Sequence, residues 1–269
     1  MARRRAAGIE VDYLDRATLK QTYGIDRAAA LRSADAAEID PVCFTQSLLR
    51  YSAAHGLRVH GQTPVVKYEP AADGVTLTTA AGQTVSARHV IFCTGYETES
   101  FLKQKLVTLE TTFAVESEPV ADFGPWRDRC LIWESRTPYF YCRTTADDRI
   151  LIGGEDIEAI DPSVRDALLP AKTEALVAKF GELFPLIPFK VARGWAGVFA
   201  ESHDGMPYIG RHRAFPNGYF ALGYGGNGIT FAQIAARLIS EDLAGRPSAD
   251  AALFAFDRVK TDRPLQTSG

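Results

Sequence analysis

Apolar and polar positions change their spacing several times along the chain, and each change marks an element. Residues 1–8 read as the tail of a helix ending at Gly8, and residues 9–14 alternate as a short strand. A chain that opens inside a helix is expected to be preceded by further structure. Asp40-Pro41 starts a second helix, with a capping carboxylate followed by a proline at the first helical position. Phe44, Leu48, Leu49 and Ala53 give that helix one apolar face, and it ends at His55-Gly56. Residues 57–60 form a short predicted strand. Residues 65–69, 75–79 and 84–87 form a predicted meander with turns at Asp73-Gly74 and Ala81-Gly82. Residues 89–93 are almost continuously apolar, the pattern of a strand buried on both faces. That run breaks into Thr94-Gly95-Tyr96-Glu97, and a strand end that enters a glycine turn is where open α/β sheets place ligands.

From residue 109 to residue 199 strand patterns dominate: 111–117, 130–134, 138–143, 150–153 and 189–199. One helix interrupts them at 163–180, with Ala167, Leu168, Ala171, Ala175, Leu176 and Phe180 as its apolar stripe. The expected fold is α/β with α+β character: an α/β frame holding an inserted antiparallel sheet and its helix. The expected domains are residues 1–107, 108–199 and 200–269, the first and third belonging to the frame.

The frame ends in the most informative stretch. Tyr219-Phe220-Ala221-Leu222 is an apolar strand, Gly223-Tyr224-Gly225-Gly226-Asn227-Gly228-Ile229-Thr230 is a glycine turn, and residues 231–243 are helical. That order aims bare backbone N–H groups at an anion, as a flavin or a nucleotide phosphate requires. Gly223, Gly225 and Gly228 satisfy G-x-G-x-x-G, but the context differs from a Rossmann fingerprint. The fingerprint opens a βαβ unit of about 30 residues with a ribose-binding acid about 20 residues on. Here Gly245, Pro247 and a short polar tail follow the helix. A glycine-rich strand–helix turn without a ligand is the plainer alternative.

Composition narrows the classes. The chain has 269 residues, 46% apolar and 23% charged, with net charge −3, so a packed core is expected and a nucleic-acid partner disfavoured. No run is apolar enough for a membrane span, and no secretory h-region follows Arg3-Arg4-Arg5. Cys43, Cys93, Cys130 and Cys142 lack zinc or redox spacing, which leaves the cytoplasm as the expected compartment and no metal site.

Four blocks stand in order along the chain: Asp40-Pro41 with its helix and Gly61-Gln62-Thr63-Pro64-Val65; His89-Val90-Ile91-Phe92-Cys93-Thr94-Gly95; Trp195-Ala196-Gly197 with Asp204-Gly205-Met206-Pro207-Tyr208-Ile209-Gly210; and the terminal glycine turn. Together they resemble the D-amino-acid oxidase and glycine oxidase family of FAD-dependent oxidoreductases. The resemblance implies a partial FAD/NAD(P)-binding frame and an inserted substrate-binding sheet. It implies non-covalent FAD, since no cysteine stands where one branch of the family tethers flavin, and a small-molecule substrate. The implied activity is oxidation of a C–N or C–O bond of an amine, amino acid or hydroxy acid by hydride transfer to flavin. It also assigns roles. Val65 would offer its backbone to adenine, and Thr94 and Gly95 would pass the pyrophosphate and ribose. Asp204, Gly205, Pro207 and Ile209 would lie near the flavin edge. Gly225, Gly226, Asn227, Gly228, Ile229 and Thr230 would meet the carbonyl end of the ring.

Two departures from the family matter. Its opening strand, G-x-G-x-x-G turn and helix have no counterpart here, so the chain looks like the C-terminal part of such an enzyme and is expected to hold FAD weakly by itself. Phe199 stands where the amino-acid oxidases carry a carboxylate-binding arginine. Tyr139, Tyr141 and Arg143 alternate on one strand face and could replace it; pairing of Arg143 with Asp147 or Asp148 is the plainer alternative. His203 reads as a surface residue. Glu155 and Asp156, adjacent on a strand, are expected to point oppositely and to share no site. The competing function is a remnant or binding module that keeps the substrate sheet without holding FAD.

Overall fold

The computed structural model describes residues 1–102 and 104–258. In chain order it contains α1 (Ala2–Ala6), β1 (Val11–Asp15), α2 (Arg16–Tyr23), β2 (Ala29–Ser33), α3 (Pro41–Ala54), β3 (Val65–Ala71), β4 (Gly74–Thr79), β5 (Thr84–Ala87) and β6 (Val90–Phe92). It continues through β7 (Val107–Ser117), β8 (Ile132–Trp133), β9 (Phe140–Thr144), β10 (Ile150–Ile157), α4 (Pro162–Leu183), β11 (Val191–Ser202), β12 (Tyr208–Arg211), β13 (Gly218–Leu222) and α5 (Gly228–Leu243). Contacts divide the chain into two compact units. Residues Met1–Ile39 and Glu110–Val198 form the first, and the described residues of Asp40–Leu109 and from Phe199 onward form the second. No helix among the described residues is long and apolar enough to cross a membrane.

The first unit is built on a five-stranded sheet in the order β11-β7-β10-β9-β8, antiparallel between β7 and β10, β10 and β9, and β9 and β8. Alternation sets its two faces. Phe113, Val115, Phe140, Cys142, Ile150 and Ile152 point inward and are buried against Leu176, Phe180 and Leu183 of α4. Trp126 stacks on Phe184 with ring centroids 4.7 Å apart and donates its indole N–H to the Cys130 carbonyl at 2.8 Å. Asp161 caps α4 through Ser163 N and Val164 N. Ala167 and Ala171, expected in the inward stripe of α4, are exposed, whereas Lys172 and Lys179 turn toward the sheet.

The grouping of residues 1–39 departs from the sequence expectation, which placed them with the frame. The reason is α2, absent from the predicted elements. Asp15 caps it through Thr18 N and Gly24 ends it in the left-handed region (φ 70°). Leu19 and Tyr23, four residues apart on one face, enter the same core as Phe113 and Phe140 together with Ile25.

The second unit holds the three-stranded sheet β12-β13-β6 and the meander β3-β4-β5. Ile209, Tyr219 and Ala221 are buried against Ala235, Leu238 and Ile239 of α5, while Tyr208, Phe220 and Leu222 face Leu106, Val107 and Phe256. Asp40 caps α3 as expected, accepting from Val42 N and Cys43 N at 2.9 Å. The apolar face of that helix is not covered: none of its residues is buried. Residues 57–60 form no strand, since no neighbour pairs with them, and Leu57 and Val59 are exposed. The run at 89–93 does form β6, but as a half-exposed strand with Ile91 46% exposed, not a strand buried on both faces.

Candidate functional site

In the second unit β6 and β13 run parallel, in register Gly218↔Val90, Tyr219↔Ile91 and Phe220↔Phe92. Three residues beyond the last pair, the two chains reach Gly95 and Gly223, so both strands leave the sheet at the same edge through a glycine. Each has a positive φ, 57° and 74°, a conformation open to glycine without the steric cost a Cβ brings. Gly225 (φ 53°) continues the second turn, and the 3-10 segment Gly225–Asn227 leads into α5 at Gly228.

The N-terminus of α5 is left polar and open. Asn227 makes no side-chain cap, and no acidic residue lies in the first turn. The amides of Gly228, Ile229 and Thr230 therefore sit at the positive end of a 16-residue helix without an internal side-chain acceptor. A Cβ added at Gly95 or Gly226 would meet nothing within 4 Å. Val65, Thr94, Gly95, Gly226, Asn227, Ile229 and Thr230 are exposed, and Thr94 Oγ1 shares a hydrogen bond of 2.6 Å with Thr98 Oγ1. Tyr224, which sequence reasoning passed over, lies in the turn; burial, and then the neighbouring Cys93, pushes its phenol up to about 12. These residues fit one part of a flavin, the carbonyl end of the ring, where backbone donors and a helix N-terminus meet developing negative charge.

The Asp204 block has a different character. Arg258 clamps the Asp204 carboxylate through two hydrogen bonds, 2.8 and 2.9 Å long, and donates to the Pro207 carbonyl at 3.0 Å. Its guanidinium also covers the Tyr208 ring at 3.9 Å. Asp204 further accepts from Met206 N and Ser202 Oγ. The Arg258 hydrogen bonds, against burial, hold its pKa at about 2. Gly205 turns the corner at φ 70°, Pro207 is buried, and the Ile209 side chain belongs to the core under α5. Asp204, Pro207 and Ile209 thus spend their side chains inside the unit. Arg258 escaped sequence reading because its partner lies 54 residues away.

In the first unit the outer face of the sheet, turned away from α4, carries the substrate-site candidates. Tyr139 and Tyr141 stack with centroids 6.1 Å apart. Among the described residues Arg143 donates to the Thr144 carbonyl alone, at 3.2 Å. The plainer pairing fails, since Asp147 pairs with Arg149 and Asp148 with Arg129. Across the sheet, Leu151 lies opposite both Arg143 and Glu116, and Glu116 pairs with Arg193, whose guanidinium faces Trp195. The Tyr141 ring covers Gly153, where a side chain would collide with it. Phe199 lies half-buried on β11, within the second unit. His203 is exposed.

Glu155 and Asp156 diverge as expected, by means of a bulge. The register of β10 shifts between Gly154 and Ile157, and Glu155 itself takes φ 60°. Glu155 is buried between Lys172 (2.9 Å) and Lys179 of α4. Burial raises its pKa, but the two lysines outweigh burial and the net shift is downward. Asp156 turns to the outer face beside Thr112 and Tyr139. Burial raises its pKa against the pull of those two hydroxyls.

The sequence matches the family model described as FAD dependent oxidoreductase (DAO) over residues 1–242. The glycine oxidase of Bacillus licheniformis is 28% identical over 218 residues, covering 79% of this chain and 56% of the relative. The gamma-glutamylputrescine oxidoreductase of Escherichia coli (strain K12) is 37% identical over 107 residues, covering 39% of this chain and 23% of the relative. The crystal structure of glycine oxidase from Geobacillus kaustophilus superposes with a TM-score of 0.79 at 18% identity, covering 96% of this chain and 69% of that one. The fold is therefore that of glycine oxidase over the described part. The chain spans little more than half the length of the curated glycine oxidases it matches, 56% and 54%.

Proposed function

This chain belongs to the DAO family of FAD dependent oxidoreductases, and on that premise we propose that it forms the flavin-ring and substrate-binding part of an oxidoreductase acting on amino acids or amines. The observation that carries the reading is the pair of glycine turns leaving parallel β6 and β13 at one edge, with the open N-terminus of α5 beyond the second. Residues 40–109 and the chain from 199 onward would be the flavin-binding part, and the sheet at 110–198 the substrate-binding part.

Bound non-covalently, FAD would supply a two-electron acceptor for the hydride leaving the substrate carbon. The residues of this chain do the rest. The amides of Gly226, Gly228 and Ile229 would donate to the ring carbonyl end, and the α5 dipole would favour negative charge there. Thr94 and Gly95 would pass the ribose and pyrophosphate. Val65 would meet the adenine through its backbone. Asp204, fixed by Arg258, would act as a positioning residue that holds the β11–β12 corner. With Phe199 at the usual arginine position, Arg143 would take a substrate carboxylate, supported by its lack of an acidic partner among the described residues.

The test is an FAD titration of the purified 269-residue chain, followed by flavin absorbance and fluorescence. Weak, saturable binding with a shifted flavin spectrum is the expected result, and acid precipitation should then release the flavin into the supernatant. Flavin that stays with the pellet would overturn non-covalent attachment. A chain that leaves the flavin spectrum unchanged would favour a second reading, a small-molecule-binding module that does not hold FAD by itself.

A further inference from the structure

The outer face of the first unit's sheet carries a second charged group that the carboxylate anchor does not use. Asp156 is half-buried: its Oδ1 is shielded from solvent and accepts no hydrogen bond among the described residues, while the neutral hydroxyls of Thr112 and Tyr139 stand beside the carboxylate. The nearest lysines are committed elsewhere, since Lys172 and Lys179 both pair with Glu155 on the α4 side. Asp156 makes no ion pair within the described residues. A carboxylate with one oxygen shielded in this way is best satisfied by a partner of opposite charge. An apolar side chain would fill the bulge without that penalty.

The surroundings describe what is missing. Asp156 lies beside the Tyr139 hydroxyl, and Tyr139 stacks on Tyr141, whose phenol feels Asp156 on one side and Arg143 on the other. The floor of this stretch is small: Gly153 lies opposite both Ala114 and Tyr141. From Tyr139, just before β9, to Arg143 within it is four residues, about 13 Å at roughly 3.3 Å per residue of extended chain. Opposite charges thus stand at the two ends of an aromatic-walled strip. The α-ammonium and carboxylate of one simple amino acid are too close together to reach both. A cation near a carboxylate and two phenol rings is well matched in charge and in ring electrostatics.

We propose that this face selects an amino acid whose side chain ends in a cationic amine, Asp156 accepting that amine and Arg143 holding the carboxylate. The proposal rests on the reading of the chain as an amino-acid or amine oxidoreductase, whose substrate class it narrows.

The experiment is calorimetric titration of the full 269-residue chain, without flavin, using lysine and norleucine in both enantiomers. Norleucine keeps the carboxylate and the aliphatic chain and lacks only the terminal amine. At least tenfold tighter binding of lysine than of norleucine is expected for one enantiomer. Asp156→Asn should erase that ratio while leaving norleucine affinity unchanged, Asp156→Glu should restore part of it, and Arg143→Gln should weaken both ligands. Thermal melts of the variants show whether each is folded. Equal affinities, a ratio that survives Asp156→Asn in a folded protein, or no binding of either ligand would overturn the proposal. Because flavin is absent, a failed flavin titration leaves a lysine preference standing. A chain that binds flavin but ignores the lysine amine sinks only this assignment.

Discussion

The two long helices that follow an Asp-Pro pair, α3 and α4, begin alike and end in opposite surroundings. Each has its aspartate as cap and its proline at the first turn, and each carries an apolar stripe. In the first unit α4 drives Leu176, Phe180 and Leu183 into a core shared with the sheet and with α2. In the second unit α3 buries nothing, and Leu48 is 50% exposed. Amphipathic spacing states what a helix could bury, and only a facing surface decides whether it does. The first unit closes on itself. The second closes around β12, β13 and α5 and leaves α3 and one face of β6 open.

The largest expected effect breaks this comparison or confirms it. Phe180→Ala should cost about 3–5 kcal/mol, because a fully buried ring leaves a cavity between α4 and the sheet. Leu48→Ala should lie within about 0.5 kcal/mol of the parent, because its side chain already meets solvent. The measurement is urea unfolding followed by tryptophan fluorescence and by far-UV circular dichroism. Trp126, Trp133 and Trp195 all lie in the first unit, so fluorescence reports that unit alone. Phe180→Ala should move the fluorescence midpoint to lower urea. A comparable loss from Leu48→Ala, seen by dichroism, would mean that α3 is covered in solution.

Legibility in the sequence followed the same division. The capped helices, the meander, the sheet of the first unit and the terminal strand–turn–helix were readable because each depends on local spacing. α2 was missed although Asp15, the Leu19–Tyr23 pair and Gly24 spell a short capped helix; at eight residues its period is brief. Strand alternation predicts the opposite directions of Glu155 and Asp156, but the bulge that produces them has no local signal, and the claim of two lysines on Glu155 depends on α4. The exposure of Ile91 and the α3 face could not be read either, since an apolar run is the same whether or not something packs on it. Among the site residues, the glycine turns were legible as backbone chemistry. The clamp of Arg258 on Asp204 was not, because a single arginine near a chain end carries no periodic signal.

That clamp yields the middle prediction. The carboxylate of Asp204 titrates near 2 in the folded chain, below its ordinary value of 3.8, chiefly because Arg258 donates to it. A depressed folded pKa stabilises the protein above the unfolded value, and the contribution fades as pH falls from about 4 through about 2. With the side chain about a third exposed, solvent screening reduces the benefit to about 1–2 kcal/mol at neutral pH. Asp204→Asn should therefore lower stability by that amount at pH 7 and converge on the parent toward pH 2. Dichroism-detected unfolding across that range checks it. A gap that stays constant with pH would mean the loss comes from packing rather than from charge.

The smallest stability effect is the most informative about ligand. Gly225 and Gly226 are neighbours in one turn, yet they should respond differently to a side chain. Gly225 has φ 53°, where an L-residue is strained, so Gly225→Val should cost about 1–2 kcal/mol with or without flavin. Gly226 has no positive φ, and a Cβ there meets no atom within 4 Å, so Gly226→Val should change stability by less than about 0.5 kcal/mol. Any loss of flavin affinity in that variant would then come from the space the side chain takes outside the protein, where the ring would approach. The paired measurement is a thermal melt of the apo chain and an FAD titration of the same sample. An unchanged melt with affinity weakened tenfold or more puts the flavin against Gly226. An unchanged melt with unchanged affinity removes this residue from the site and moves the contact toward Gly95 and the end of β6.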